Sequence, residues 1–279
     1  MARYEGKEAI RDSVLQVAKL CAAAAYKAPQ LTAKLEIKTE IITGEDQEPI
    51  IEFFKEVSPI SPVMGFDYET LKHFRENGDP LVILLIGADL TSCELSWNCG
   101  ACGFETCAEF NKFARANKGR GSLWSGPSCS WKTMDFGAAC DYACAAAAQY
   151  RFDCRAMATV GAAASGVGYL PDCSAHIGIP IGPAGDFVYY SRQQNMKKFS
   201  VESHRENLLR SAPTNWLSFP GGTKPSLKHQ DNWWAEPVYP TFEKASPEEM
   251  QFVEETMAKV NSVSEKYAPK IAEWYSDKK

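Results

Sequence analysis

Apolar positions recur along the chain with two periods. Over 8–28, EAIRDSVLQVAKLCAAAAYKA, residues Ile10, Val14, Val17 and Cys21 fall three or four apart, which predicts an amphipathic helix ended by Pro29. KLEIKTEIITGED (34–46) alternates apolar and polar positions and predicts a strand closed by a glycine turn. QEPIIEFFKEV and DYETLKHFREN predict helices. PLVILLIGAD (80–89) is a continuous apolar run, the mark of a strand buried on both faces. A helix near 104–117 and a Gly/Ser-rich loop, NKGRGSLWSGPSC (117–129), follow it. The alanine-rich stretches 132–150 and 152–166 predict two further helices. AHIGIPIG reads as a short strand, with DFVYYSR (186–192) after it. Over 193–245 proline and aromatic residues are frequent and periodicity is weak, which predicts an extended arm. A last helix over 246–276 opens with a capping box from Ser246 to Glu249. This order of elements predicts an α/β or α+β fold.

The chain has 279 residues, enough for one large domain or two small ones. Its net charge of -5 gives no broad electrostatic reason to bind nucleic acid or an anionic membrane. No apolar run approaches the ~20 residues of a membrane span. The first ten residues carry charges and no long apolar segment, so the expectation is a cytoplasmic protein without a secretory leader. In a reducing compartment its 10 cysteines are metal ligands, nucleophiles or small core residues, not disulfides.

Three of those cysteines stand out by their spacing. WNCGACGFETCAEF (97–110) spaces Cys99, Cys102 and Cys107 as C-x2-C-x4-C, just beyond the predicted central strand. Iron–sulfur clusters need four thiolates around a compact inorganic core, and one glycine-rich loop can bend around it to supply three. Cys107 falls at a predicted helix start, where the macrodipole favours a negative cluster. Cys129, after a Gly-Pro turn, is the expected fourth ligand. Zinc is the rival, although structural zinc sites usually divide their thiolates into two C-x2-C pairs.

The other cysteines read as packing residues. Cys140 and Cys144 share one helical face and could be half of another metal site, but their alanine-rich setting favours packing. Cys93 lies near the motif, and nothing around it in sequence marks an activated thiol. None of the 4 histidines forms a paired-ligand pattern, and there is no P-loop, nucleophile elbow or dinucleotide fingerprint.

CGACGFETCAEF, GPSC, RAMATVGAAASGVGYL and GIPIGPAGDFVYYSR, in that order, resemble a prokaryotic family of ferredoxin-domain-containing proteins of unknown function. The resemblance runs over about residues 5–192 and extends to the nitroreductase-like flavoproteins, of which that family looks like a branch. It implies an α+β fold with a nitroreductase-like sheet flanked by helices. Residues 1–192 would form this domain, with an inserted iron–sulfur loop at 93–130; 193–279 would add an extended arm and a terminal helix. It also implies a homodimer, expected to meet through the alanine-rich 137–164, with FMN at the interface. Carried over by position, Cys99, Cys102, Cys107 and Cys129 take the cluster-ligand places. Gly166 and Gly168 fall where backbone would run beside the flavin ring, and Arg3, Lys27 and Arg192 are the basic residues expected at its phosphate.

The function expected from all this is an oxidoreductase. A 4Fe-4S cluster would take single electrons from a donor such as ferredoxin and pass them through FMN to a small-molecule substrate. Such low-potential chemistry suits an anaerobe. The alternatives are a flavin-free electron carrier or redox sensor, with Trp97 and Phe104 as docking surface, and a non-redox lyase using an open iron as Lewis acid. The last requires that Cys129 not be a ligand.

Overall fold

The structure is a computed structural model that describes residues 3–76, 78–117, 119–120, 124–182 and 246–278. Arg192, DFVYYSR and the 193–245 arm lie outside the described residues. The fold is α+β, built on an antiparallel sheet in the order β1-β2-β6-β5. β1 is Lys38–Thr43, β2 Val82–Ala88, β5 Asp153–Cys154 and β6 Ala175–Gly182; a two-residue hairpin, β3 and β4, occupies 119–120 and 125–126. Thr43 pairs with Val82, and Val82 in turn with Ile181.

Every residue of β2 is buried. Successive strand side chains point to opposite faces, so a continuous apolar run feeds two cores. Val82, Leu84, Ile86 and Ala88 face α1 (Gly6–Lys27) and α5 (Ser130–Gln149). Ile83 and Leu85 face α2 (Glu48–Val57), α3 (Pro62–Glu76), α6 (Ala158–Val167) and α7 (Pro247–Ser276). The sheet is thus a middle layer between two helical layers.

Small residues set the first helical layer. Ala18, Cys21 and Ala25 of α1 lie in one core with Ala139, Cys140, Ala143 and Ala147 of α5. Side chains this short let the two helix backbones run close together. The alanine-rich stretch 137–164, the expected dimer contact, therefore turns small faces inward, toward α1 from α5 and toward β6 from α6. Asp135, 1 % exposed, fastens the layer: it accepts hydrogen bonds from the backbone N–H of Leu31 (2.6 Å) and Thr32 (3.0 Å) and from the Thr32 hydroxyl.

Most predicted elements stand where periodicity placed them, and one is corrected. Over 152–166 the chain first pairs Asp153 and Cys154 with β6, adds a bridge from Met157 to Gly178, and only then enters α6. Edge pairing wins there over alanine's helical preference. α6 lies so close to β6 that a Cβ at Gly161 would come within 2.2 Å of the His176 carbonyl oxygen. α7 opens with the predicted capping box and buries Val260, Val263 and Ile271 against this second layer.

Candidate metal centre

β2 ends at Ala88, and the chain turns at once into the cysteine loop. Asp89 receives the Thr91 N–H and hydroxyl at its Oδ1, and the Leu90 carbonyl accepts the Cys129 N–H at 2.8 Å. Gly100 and Gly103 adopt positive φ, 73° and 86°, and close a turn through the bond from Gly103 N–H to the Gly100 carbonyl. A β-carbon is strained in that conformation, which is why glycines alternate with the thiols.

α4 (Cys107–Asn117) begins on the third cysteine. Thr106 and Glu109 form a reciprocal cap: Glu109 N–H donates to Thr106 Oγ1 and Thr106 N–H donates to Glu109 Oε2, both at 3.1 Å. That T-x-x-E box is a signal in the sequence that fixes Cys107 as the first helical residue. Cys129 is the N-cap residue of α5. The positive ends of two helix dipoles therefore meet at two thiols, a setting that favours negative charge.

One surface hollow is lined by Cys93, Cys99, Cys102, Cys107 and Cys129 together with Trp97, Phe104 and Trp131. The four cysteines expected from sequence come together, and Cys93, read as a packing residue, joins them. Cys93 and Cys129 are buried, Cys102 and Cys107 half-buried, and Cys99 is exposed at the mouth. A small core of Phe110 and Ala114 with Leu95, Phe104 and Trp131 supports the hollow from below. Ser130 Oγ donates to the Ala101 carbonyl and ties α5 to the loop.

The electrostatics differ from thiol to thiol. The Asn98 backbone N–H, hydrogen-bonded to the Cys107 sulfur, holds that thiol below its ordinary value. Burial pushes Cys93 up to about 12. Trp131 donates its indole N–H to Cys99 Sγ at 3.2 Å. Among the described residues, no three or more His, Cys, Asp or Glu side chains converge as a site for one metal ion would require. The thiols line one hollow without closing on a single point, and thiolates are the ligands that both an iron–sulfur cluster and a structural zinc take.

The remaining cysteines lie elsewhere. Cys21, Cys140 and Cys154 are buried in the first core, with Cys144 packed against it. Burial pushes Cys21 and Cys140 up to about 12, so both stay protonated there. His176 is buried with its Nε2 3.0 Å from the Leu170 carbonyl oxygen.

Of the residues expected to hold a flavin, Arg3, Lys27, Gly166 and Gly168 are among the described ones. A Cβ on Gly166 would lie 2.7 Å from the Phe53 ring, and Gly168, at φ 106°, caps α6 against Ala268 of α7. Protein occupies the close approaches that these glycines allow. Arg3 and Lys27 are exposed at opposite ends of α1, whose 22 residues at ~1.5 Å each span about 33 Å. Within one chain they cannot clasp the same phosphate. No helix among the described residues is long and apolar enough to cross a membrane.

Comparison with known proteins agrees with part of this picture. Residues 125–192 match the family described as "Uncharacterized protein containing a ferredoxin domain". That stretch holds Cys129, α5, β5, α6 and β6 but not the 99–107 triplet. A protein of Archaeoglobus fulgidus, itself described as uncharacterized, is 30% identical over 188 residues, 67% of this chain and 95% of its own length. No solved structure matches the chain. Neither likeness carries a flavin or nitroreductase description. The ferredoxin description points to an iron–sulfur cluster and electron transfer, and the thiol-lined hollow has the chemistry for it. An archaeal relative matched over nearly its whole length makes the likeness more than a shared fragment: the chain belongs to the family of uncharacterized proteins that contain a ferredoxin domain.

Proposed function

We propose that this chain is an iron–sulfur electron carrier whose 4Fe-4S cluster is held by Cys99, Cys102, Cys107 and Cys129. The observation that carries the reading is that these thiols, from one loop and two helix starts, line a single hollow. The cluster supplies a one-electron store. The chain's own residues do the rest: the two helix N-termini favour a negative cluster, and the Asn98 N–H and the Trp131 indole donate to ligand sulfurs. Leu95, Phe104 and Phe110 exclude water from the inner side. Cys99 and the half-exposed Trp97 mark the side where a redox protein of the ferredoxin kind would approach.

An electron carrier of this kind needs no FMN and no flavin-dependent reductase activity. Gly166 and Gly168 are packed by Phe53 and α7, and Arg3 and Lys27 lie at opposite ends of α1. One experiment addresses both points. Protein purified without oxygen is assayed for iron and acid-labile sulfide, and its visible spectrum is recorded before and after dithionite. The expected result is about four iron and four sulfide per chain, with one broad absorbance that bleaches. Stoichiometric zinc without sulfide would overturn the cluster, and superimposed flavin bands would restore the reductase.

A further inference from the structure

Cys93 is the fifth thiol of the hollow, and it is placed more firmly than packing asks. Asn111 of α4 grips its peptide from both sides: Cys93 N–H donates to Asn111 Oδ1 at 2.8 Å, and Asn111 Nδ2 donates to the Cys93 carbonyl at 2.7 Å. The next residue, Glu94, is held 2.9 Å from the ammonium of Lys132 on α5, whose side chain is only 4% exposed. These clamps come from the two helices that begin at Cys107 and Cys129. Together they set the Cys93 sulfur 3.7 Å from Cys107 Sγ. A cysteine that merely fills space needs apolar neighbours alone, not a two-sided backbone grip and a sulfur at contact distance.

We infer that Cys93 is a reserve ligand of the cluster, placed to take over from Cys107; this rests on the cluster reading above. In the exchange, the iron–sulfur bond to Cys107 breaks and one to Cys93 forms. The Cys93 proton passes across the 3.7 Å contact to the released Cys107 sulfur, so protons and charge balance and no oxidant is needed. Because Cys93 is buried while Cys107 is half-buried, the reserve sits on the inner side, shielded when the outer ligand is lost.

The test uses the full chain, loaded with iron and sulfide without oxygen, and reads metal content by chemical analysis and the reduced cluster by electron paramagnetic resonance. Cys107→Ser is expected to keep more than half of the wild-type iron, with a changed resonance line shape. The double variant Cys93→Ser/Cys107→Ser is expected to lose nearly all of it. Cys93→Ser alone should load fully but surrender iron to a chelator several-fold faster than wild type, because a released iron finds no second thiol. A folded Cys107→Ser that holds no iron overturns the reserve ligand and leaves the cluster reading standing. Where Cys107→Ser does not fold, the chelator comparison decides, and equal release rates overturn the inference. Wild-type protein without iron and sulfide would overturn the cluster reading itself, and this inference with it.

Discussion

The indole N–H of Trp131 points at the sulfur of Cys99, 3.2 Å away, while its ring lies edge-on to Trp97 at 5.8 Å between centroids. If Cys99 ligates the proposed cluster, a donor aimed at its sulfur stabilises the more negative, reduced state. Trp131→Phe keeps the ring and removes the donor. The expected result is a midpoint potential lower by about 40 mV, from ~1 kcal/mol for one hydrogen bond and 59 mV per tenfold for one electron. A redox titration followed by electron paramagnetic resonance measures it, and an unchanged potential would show that the indole is only a packing ring.

The two cysteine groups should separate cleanly. Cys140 sits in the alanine-lined core between α1 and α5, away from the hollow, so Cys140→Ala should leave iron content unchanged at a stability cost under about 1.5 kcal/mol. Cys102→Ala, in the motif, should abolish iron binding. Metal analysis of the two purified variants checks both, and iron loss in Cys140→Ala would move the cluster into the core.

Asp135 is a stability residue with a specific task. Its carboxylate satisfies two backbone N–H groups and one hydroxyl of the segment that follows α1. Asp135→Ala strands those donors in a buried place and should cost about 3 kcal/mol in denaturant unfolding, against ~1 kcal/mol for Thr32→Val. Similar losses for the two would mean that the backbone donors find other partners.

Two glycine substitutions should have opposite signs. A Cβ at Gly161 meets the His176 backbone oxygen at 2.2 Å, so Gly161→Ala must push α6 off β6 and should destabilise by about 1–3 kcal/mol or more. At Gly137, exposed inside α5, nothing lies within 4 Å of the added carbon. Gly137→Ala should stabilise by about 0.5–1 kcal/mol, because the helix interior prefers alanine. Thermal melts of the two variants decide the matter; a destabilising Gly137→Ala would reveal a contact on that outward face.

Features that depend on near neighbours are legible in the residues alone. The apolar run of β2, the period of α1, the capping box of α7 and the C-x2-C-x4-C spacing are all local, because strand alternation, helical turns and loop closure act over a few residues. Even the start of α4 at Cys107 was legible in Thr106 and Glu109. Which distant parts meet follows from the fold as a whole. Cys93 enters the hollow because Asn111, 18 residues on, holds its peptide, and no spacing rule announces such a grip. Asp153 and Cys154 leave the helical pattern because β6 offers an open edge. Gly166 and Gly168, read as room for a flavin, make room for Phe53 and for α7, a helix whose first residue lies 79 positions after Gly168. Local propensity is settled within a turn or a strand, whereas the occupant of a close approach is chosen by the path of the whole chain.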